Sequence, residues 1–233
     1  IVGGLEKKNK IITPEEKRAV AVHEAGHATV SWLCEHANPL VKVTIVPRGR
    51  SLGAAWYLPE ERQITRTEQM LDEMCATLGG RAAEKVVFDK ISTGALSDLE
   101  KVTKQAMAMV SIYGLNEKIG NVSYYNMDQG FSKPFSEKQA ALMDEEIKKL
   151  TDEQYHRAIK ILEDNKDKLL TLADQLLEKE VIFKEDLEKI FGMSASDVAA
   201  KAKEPAEVVV EASTEEVVEE ATEAAQTEEE SAE

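Results

Sequence analysis

The sequence predicts a mainly α chain, a helical array carrying one small two-stranded β-ribbon. Two capping-box patterns, Thr13-Pro14-Glu15-Glu16 and Ser136-Glu137-Lys138-Gln139, open long helix-compatible stretches. The segments 137–165 and 166–180 carry Leu142, Ile147, Leu150, Tyr155, Ile159 and Leu162 near helical spacing. A single pair of neighbouring runs, Val41–Val46 and Ala54–Leu58, is β-rich.

In chain order, the first helix runs from Pro14 to about His36, where Asn38-Pro39 stops it. Pro47-Arg-Gly-Arg-Ser51, with Gly53 just beyond, is the flexible turn of the ribbon. Thr65-Arg-Thr-Glu68 caps a helix reaching Phe88, and Gly79-Gly80 in its interior predicts close backbone packing there. Another helix spans Ser97 to Tyr113 and ends at Gly114. Asn116–Pro134 is a polar loop, and after the two long helices a short one, Glu185–Phe191, closes the fold. No internal repeat is present.

Charge is distributed unevenly over the 233 residues. Residues 194–233 hold 13 acids and 2 bases, against 31 acids and 27 bases in residues 1–193, for a net charge of −15 overall. No aromatic residue follows Phe191. Such a segment buries too little apolar surface to offset its ordering entropy, so 194–233 is read as a disordered acidic tail. It is a solvated extension on the plainest reading and an adaptor-docking segment on the functional one. Residues 1–12 read as a linker from an upstream module, and 13–193 as the folded domain. An acidic chain without a basic stripe is a poor nucleic-acid binder. Cys34 and Cys75 are too few for a disulfide scaffold and suit a reducing compartment. No apolar run approaches the ~20 residues of a membrane span, so the chain as it stands is expected to be soluble.

The chemistry-bearing pattern is His23-Glu24-Ala25-Gly26-His27, inside the first helix. Residues four apart share a helical face, so both imidazoles reach one ion, as in zincins. Glu24 leans over the same site, able to take a proton from a metal-activated water. Gly26 lets a neighbouring element approach between the two ligands. A chance His-Glu-x-x-His on a solvated face would have charged rather than apolar neighbours. The metzincin extension is excluded, because Val30 and Leu33 stand where it requires Gly and His.

A catalytic zinc needs a third protein ligand. His36 lies about 180° around the helix from His27 and reads as a surface or end-of-helix residue, while His156 belongs to a distant amphipathic helix and reads as structural. Glu60, Glu61, Glu68, Asp72 and Glu73 sit in charged stretches read mostly as exposed. Glu84, in Gly79-Gly-Arg-Ala-Ala-Glu84, and Asp98, in Ser92-Thr-Gly-Ala-Leu-Ser-Asp98-Leu99, stand out. Spacing alone does not choose between them.

His23–His27, Leu58-Pro-Glu-Glu61, Gly79–Glu84 and Ser92–Leu99, in this order, resemble the FtsH-type ATP-dependent zinc proteases of bacteria and mitochondria. The resemblance covers nearly all of residues 1–193, with no departure at these positions. It implies a zinc peptidase domain holding one Zn²⁺ per chain, with His23, His27 and Asp98 as ligands and Glu24 as catalytic base. Glu84 then supports an imidazole or a nearby helix without touching the metal. The resemblance also implies an AAA+ module and membrane anchor in the full-length protein, a homo-hexameric ring, and unfolded, misassembled or membrane proteins as substrates. The location it implies is the cytoplasmic face of the bacterial inner membrane. ATP belongs to the AAA+ module only, for this chain has no Gly-x-x-x-x-Gly-Lys-Ser/Thr pattern.

The ribbon is expected to be the substrate platform, through Val43, Ile45, Gly53, Ala54, Ala55 and Trp56. An exposed strand edge pairs with an extended peptide whatever its side chains. Core packing of Val43, Ile45 and Trp56 is the plainer alternative, and alternating faces permit both. Two other classes compete with the peptidase: a non-catalytic assembly module, which loss of Glu24 would have favoured, and a zinc hydrolase of small molecules.

Overall fold

The computed structural model describes residues 13–47, 52–58, 64–124 and 135–203. They form seven helices and one three-stranded sheet. The linker 1–12, most of the ribbon turn, Glu60 and Glu61, and residues 204–233 of the tail lie outside the described residues.

Helix α1, Pro14–Leu33, begins with the capping box read from sequence. The Glu16 amide donates to Thr13 Oγ1 at 3.2 Å, and the Thr13 amide donates to Glu16 Oε2 at 3.0 Å. From Ala21 to Trp32 every residue is buried, so α1 is the central helix and needs no polar face. It ends before His36, because Cys34 turns extended and the His36 amide donates to Asp72 Oδ2 at 2.8 Å. Helix α2, Thr67–Phe88, is capped at Arg66 rather than Thr65: the Arg66 amide donates to Gln69 Oε1 at 2.8 Å. The two helices meet backbone to backbone. A β-carbon on Gly26 would lie 2.4 Å from Gly79 O, and one on Gly79 would lie 2.7 Å from Gly26 O. This is the close approach expected of Gly26 and Gly79.

The sheet corrects the two-stranded expectation. Strands β1 (Leu40–Thr44) and β2 (Ala54–Tyr57) pair antiparallel, with Val43 opposite Ala55. A third strand, β3 (Val181–Phe183), adds to the other edge of β1, with Val43 opposite Ile182. The order is β2-β1-β3, so among the described residues β2 is an edge strand of the sheet.

A 3-10 turn, Thr93–Ala95, leads into α3, Leu96–Ser111. The long helices are α4, Glu137–Asp164, and α5, Lys166–Lys179, with Ser136 Oγ capping α4 from the Gln139 amide. Leu162, Leu169, Leu172 and Leu176 pack with Ala21, Val22, Ala25 and Ala28 of α1 in the main core. Met74, Leu78, Val102 and Met109 form a second cluster where α2 meets α3. Helix α6 spans Lys184–Phe191. Helix α7, Ala195–Lys203, occupies the start of the segment read as a disordered tail, with the Asp197 amide donating to Ser194 Oγ at 3.1 Å. The chain divides into two units, residues 1–199 and 200–233; of the second, only the end of α7 is described. Cys34 and Cys75 are free and buried. Among the described residues, no helix is long and apolar enough to cross a membrane.

Candidate metal centre

His23 and His27 lie one turn apart on α1, both buried, with their Nε2 atoms 3.1 Å apart. Asp98, in the first turn of α3, brings Oδ2 to 3.3 Å from His23 Nε2 and 3.5 Å from His27 Nε2. The three candidate ligand atoms lie within 4.8 Å of one another. The other ring nitrogens face outward. His27 Nδ1 lies 2.9 Å from Ala76 O; a carbonyl only accepts, so this contact places the proton on Nδ1. The Gly80 amide lies farther from the same nitrogen, at 3.3 Å, and the shorter contact sets the tautomer. His23 Nδ1 donates to Glu84 Oε1 at 2.7 Å. Glu84 in turn accepts the Ser92 amide on Oε2 at 2.6 Å and the Ser92 hydroxyl on Oε1 at 3.1 Å.

With both Nδ1 protons committed outward, two imidazole lone pairs and a carboxylate oxygen converge on one point. Acceptors that close repel unless positive charge lies within their common reach. A divalent cation meets that demand, as does a proton on His23. The electrostatics agree. Burial works to lower the His23 pKa, but Asp98 and Glu84 outweigh it and lift it to about 9. Burial works to raise Asp98, and the adjoining His23 and His27 imidazoles overcome it and hold the carboxyl well below its ordinary range. Two nitrogens and one oxygen, each imidazole anchored from behind, fit the protein half of a tetrahedral zinc site.

Glu24 is buried beside the cluster, and burial pushes its carboxyl upward against the opposing pull of His27 and His23. Gly53, just before β2, covers it: a β-carbon there would lie 2.6 Å from Glu24 Cγ. A cleft of roughly 730 Å³ opens before the cluster, lined by His23, Glu24, Gly53, Ala55, Asp98 and Lys101 among others.

The ribbon residues separate into two groups. Gly53, Ala54 and Ala55 line the cleft. Val43 and Ile45 are core, and Trp56 takes Lys42 Nζ over its ring at 5.2 Å. Glu84 and Asp98 both reach the cluster, on opposite sides of the His23 ring. Asp72 does not, and it is buried rather than exposed, paired with Arg157 Nη2 at 2.6 Å. Half-buried Glu73 accepts from Asn38 Nδ2 at 3.0 Å, and Glu68 is exposed. His36 lies past the end of α1, and His156 sits on the exposed face of α4 with Nδ1 2.7 Å from Asp152 O.

Sequence reasoning missed Gly80, Ser92, Tyr57 and the Ala76 carbonyl. A β-carbon on Gly80 would lie 2.4 Å from His23 Nε2 and 2.6 Å from His27 Nε2. Ala76, Gly80 and Glu84 recur every four residues, and that face of α2 was the available signal. Tyr57 lines the cleft, where burial and the Glu24 charge push its phenol upward.

The profile of Peptidase family M41 matches residues 10–190. An ATP-dependent zinc metalloprotease FtsH of Parabacteroides distasonis is 63% identical over 198 residues, 84% of this chain and 29% of that protein. The mitochondrial ATP-dependent zinc metalloprotease FTSH 3 of Arabidopsis thaliana is 51% identical, over 82% of this chain and 24% of its own length. The mitochondrial inner membrane m-AAA protease component AFG3L2 of Mus musculus is 47% identical, with the same two coverages. The chain thus spans less than a third of the length of these curated relatives.

Proposed function

The chain belongs to peptidase family M41, and on that premise we propose that it is a zinc metalloendopeptidase whose metal is held by His23, His27 and Asp98, one ion per chain. The observation that carries this is the convergence of two outward-anchored imidazoles and one carboxylate beside a buried glutamate. When bound, zinc supplies Lewis acidity, bringing the pKa of water to near 7 and polarising a carbonyl.

The rest is done by the chain's own residues. Glu24 takes a proton from the attacking water and returns it to the leaving amine nitrogen. Its burial, working against the pull of the two imidazoles, favours holding that proton between the two steps. Glu84 fixes the His23 ring through Nδ1, and the Ala76 carbonyl does the same for His27. Strand β2 stands at an edge of the sheet, and Ala54 and Ala55 on it line the cleft, where the strand can offer backbone groups to an extended peptide. Recognition through main chain suits unfolded and misassembled proteins, including membrane proteins, as substrates.

In the longer protein, this portion works with an AAA+ module that binds ATP, within a homo-hexamer anchored at the cytoplasmic face of a bacterial inner membrane. The relatives' names, with ATP dependence in one and an inner membrane in another, and their greater length support the ATP-binding and membrane parts of this reading.

Zinc per chain, by elemental analysis of wild type and Asp98→Ala, tests the site. One zinc in wild type and a clear loss in the variant is the expected result; full zinc in both moves the third ligand elsewhere. Casein cleavage by wild type, abolished in zinc-loaded Glu24→Gln, tests the reaction. Cleavage of small esters with casein untouched would replace the peptidase by a small-molecule hydrolase.

A further inference from the structure

The cleft is lined by acids: Glu16, Glu24, Glu84 and Asp98 all contribute. Apart from the two imidazoles, Lys101 is the one cationic side chain among its described lining residues. Lys101 follows Asp98 by three positions on α3, so both share one helical face and look into the same space. It is exposed, and among the described residues it makes no salt bridge. Other lysines with a carboxylate in reach do pair, Lys104 with Glu100 at 2.7 Å and Lys118 with Glu146 at 2.5 Å. Two of the acids lining the cleft are committed elsewhere: Asp98 to the imidazoles, Glu84 to His23 and Ser92. Its charge nonetheless acts on Glu24 across the cleft.

An extended peptide paired with the β2 edge turns alternate side chains toward opposite sides. Those directed at α3 meet an ammonium without a partner. We propose that Lys101 is a specificity-determining residue, selecting peptides with an acidic side chain beside the bond held at Glu24 and Asp98. This rests on the peptidase reading above. Without Lys101, the surrounding carboxylates favour basic peptides; with it, a basic side chain on this wall meets a like charge. Such an exposed pair changes affinity only a few-fold, so reversing the charge is the stronger test.

Zinc-loaded Glu24→Gln protein is titrated with fluorescein-labelled unstructured octapeptides carrying Glu, Gln or Lys at the two central positions, and binding is read by anisotropy. The Glu peptide is expected to bind several-fold tighter than the Lys peptide. Adding Lys101→Glu inverts the order and shifts the Kd ratio by about tenfold, and high salt erases the difference. An unchanged ratio in the double variant, or no binding of any peptide, overturns the proposal. Hydrolysis of the same peptides with Glu24 intact is followed in parallel. No cleavage alongside a charge-inverted Kd ratio removes the peptidase reading and leaves the selectivity of Lys101 standing.

Discussion

Gly53 and Glu24 touch with no room for a β-carbon between them: one built on Gly53 lies 2.6 Å from Glu24 Cγ and 2.7 Å from Oε1. The backbone leading into β2 therefore limits where the buried carboxylate points. Gly53→Ala should displace Glu24 by a fraction of an ångström to an ångström. A misplacement of that size costs on the order of 100-fold in turnover. Zinc content should be unchanged, since no ligand meets that β-carbon. Peptide hydrolysis and elemental analysis on the same sample check this; a fall in kcat below threefold would break the link between the two residues.

Adjacent glycines on α2 should fail in different ways. Gly80→Ala drives a methyl into both imidazoles, at 2.4 Å and 2.6 Å from their Nε2 atoms, and should weaken zinc binding at least about tenfold. Gly79→Ala meets backbone instead, Gly26 O at 2.7 Å, and should cost roughly 1–3 kcal/mol of stability. Chelator competition for the first variant and urea melts for both separate these outcomes. Equal zinc affinity in Gly80→Ala and wild type would contradict the site geometry.

Glu84 touches no candidate ligand atom; within the His23–His27–Asp98 cluster it meets the far nitrogen of His23. Glu84→Gln keeps the shape and removes the charge that anchors the ring. Zinc affinity should fall about 10- to 100-fold, the usual effect of losing such a partner. Full affinity in Glu84→Gln would mean that a neutral acceptor and packing suffice to hold His23.

Stripping zinc leaves a pH signature. His23 keeps its proton to about pH 9 in the fold against an ordinary 6.5, because Asp98 and Glu84 outweigh burial. A raised folded pKa stabilises fully below the unfolded value and is lost as pH climbs to the folded one. Chelator-treated protein should therefore lose stability between about pH 6.5 and 9, by roughly 3 kcal/mol from this residue. Melting temperature should drop by roughly 10 °C across that window. Asp98→Asn should flatten the slope; a melting temperature that rises over the same range would refute the arrangement.

Much of this was legible in the sequence because it was local. Thr13 and Glu16 announced the start of α1, and the four-residue spacing of His23 and His27 placed both on one face. Gly26 and Gly79 signalled a backbone contact that the structure places between α1 and α2. The division of labour between Glu84 and Asp98 was not legible, since it depends on which nitrogen of one ring each carboxylate faces. Strand β3 was missed because three residues between helices show no period. The burial of Asp72 is not legible either, because its sequence neighbours are charged and its partner Arg157 comes from a helix far along the chain.

That buried pair yields a further prediction. Asp72 is 4% exposed, accepting the His36 amide on Oδ2 and Arg157 on Oδ1. Removing one partner of a fully buried pair costs about 3–5 kcal/mol, because the other charge stays behind in low dielectric. The Arg157 side chain is 42% exposed, so water screens part of that, and Arg157→Met should cost nearer to 2 kcal/mol. Asp72→Asn keeps an acceptor for His36 and leaves no buried charge, so it should cost less, and adding Arg157→Met to it should cost little more. Urea unfolding of the four species measures the coupling between the two positions. Additive losses would show that Asp72 holds the end of α1 through His36 alone, with Arg157 a bystander.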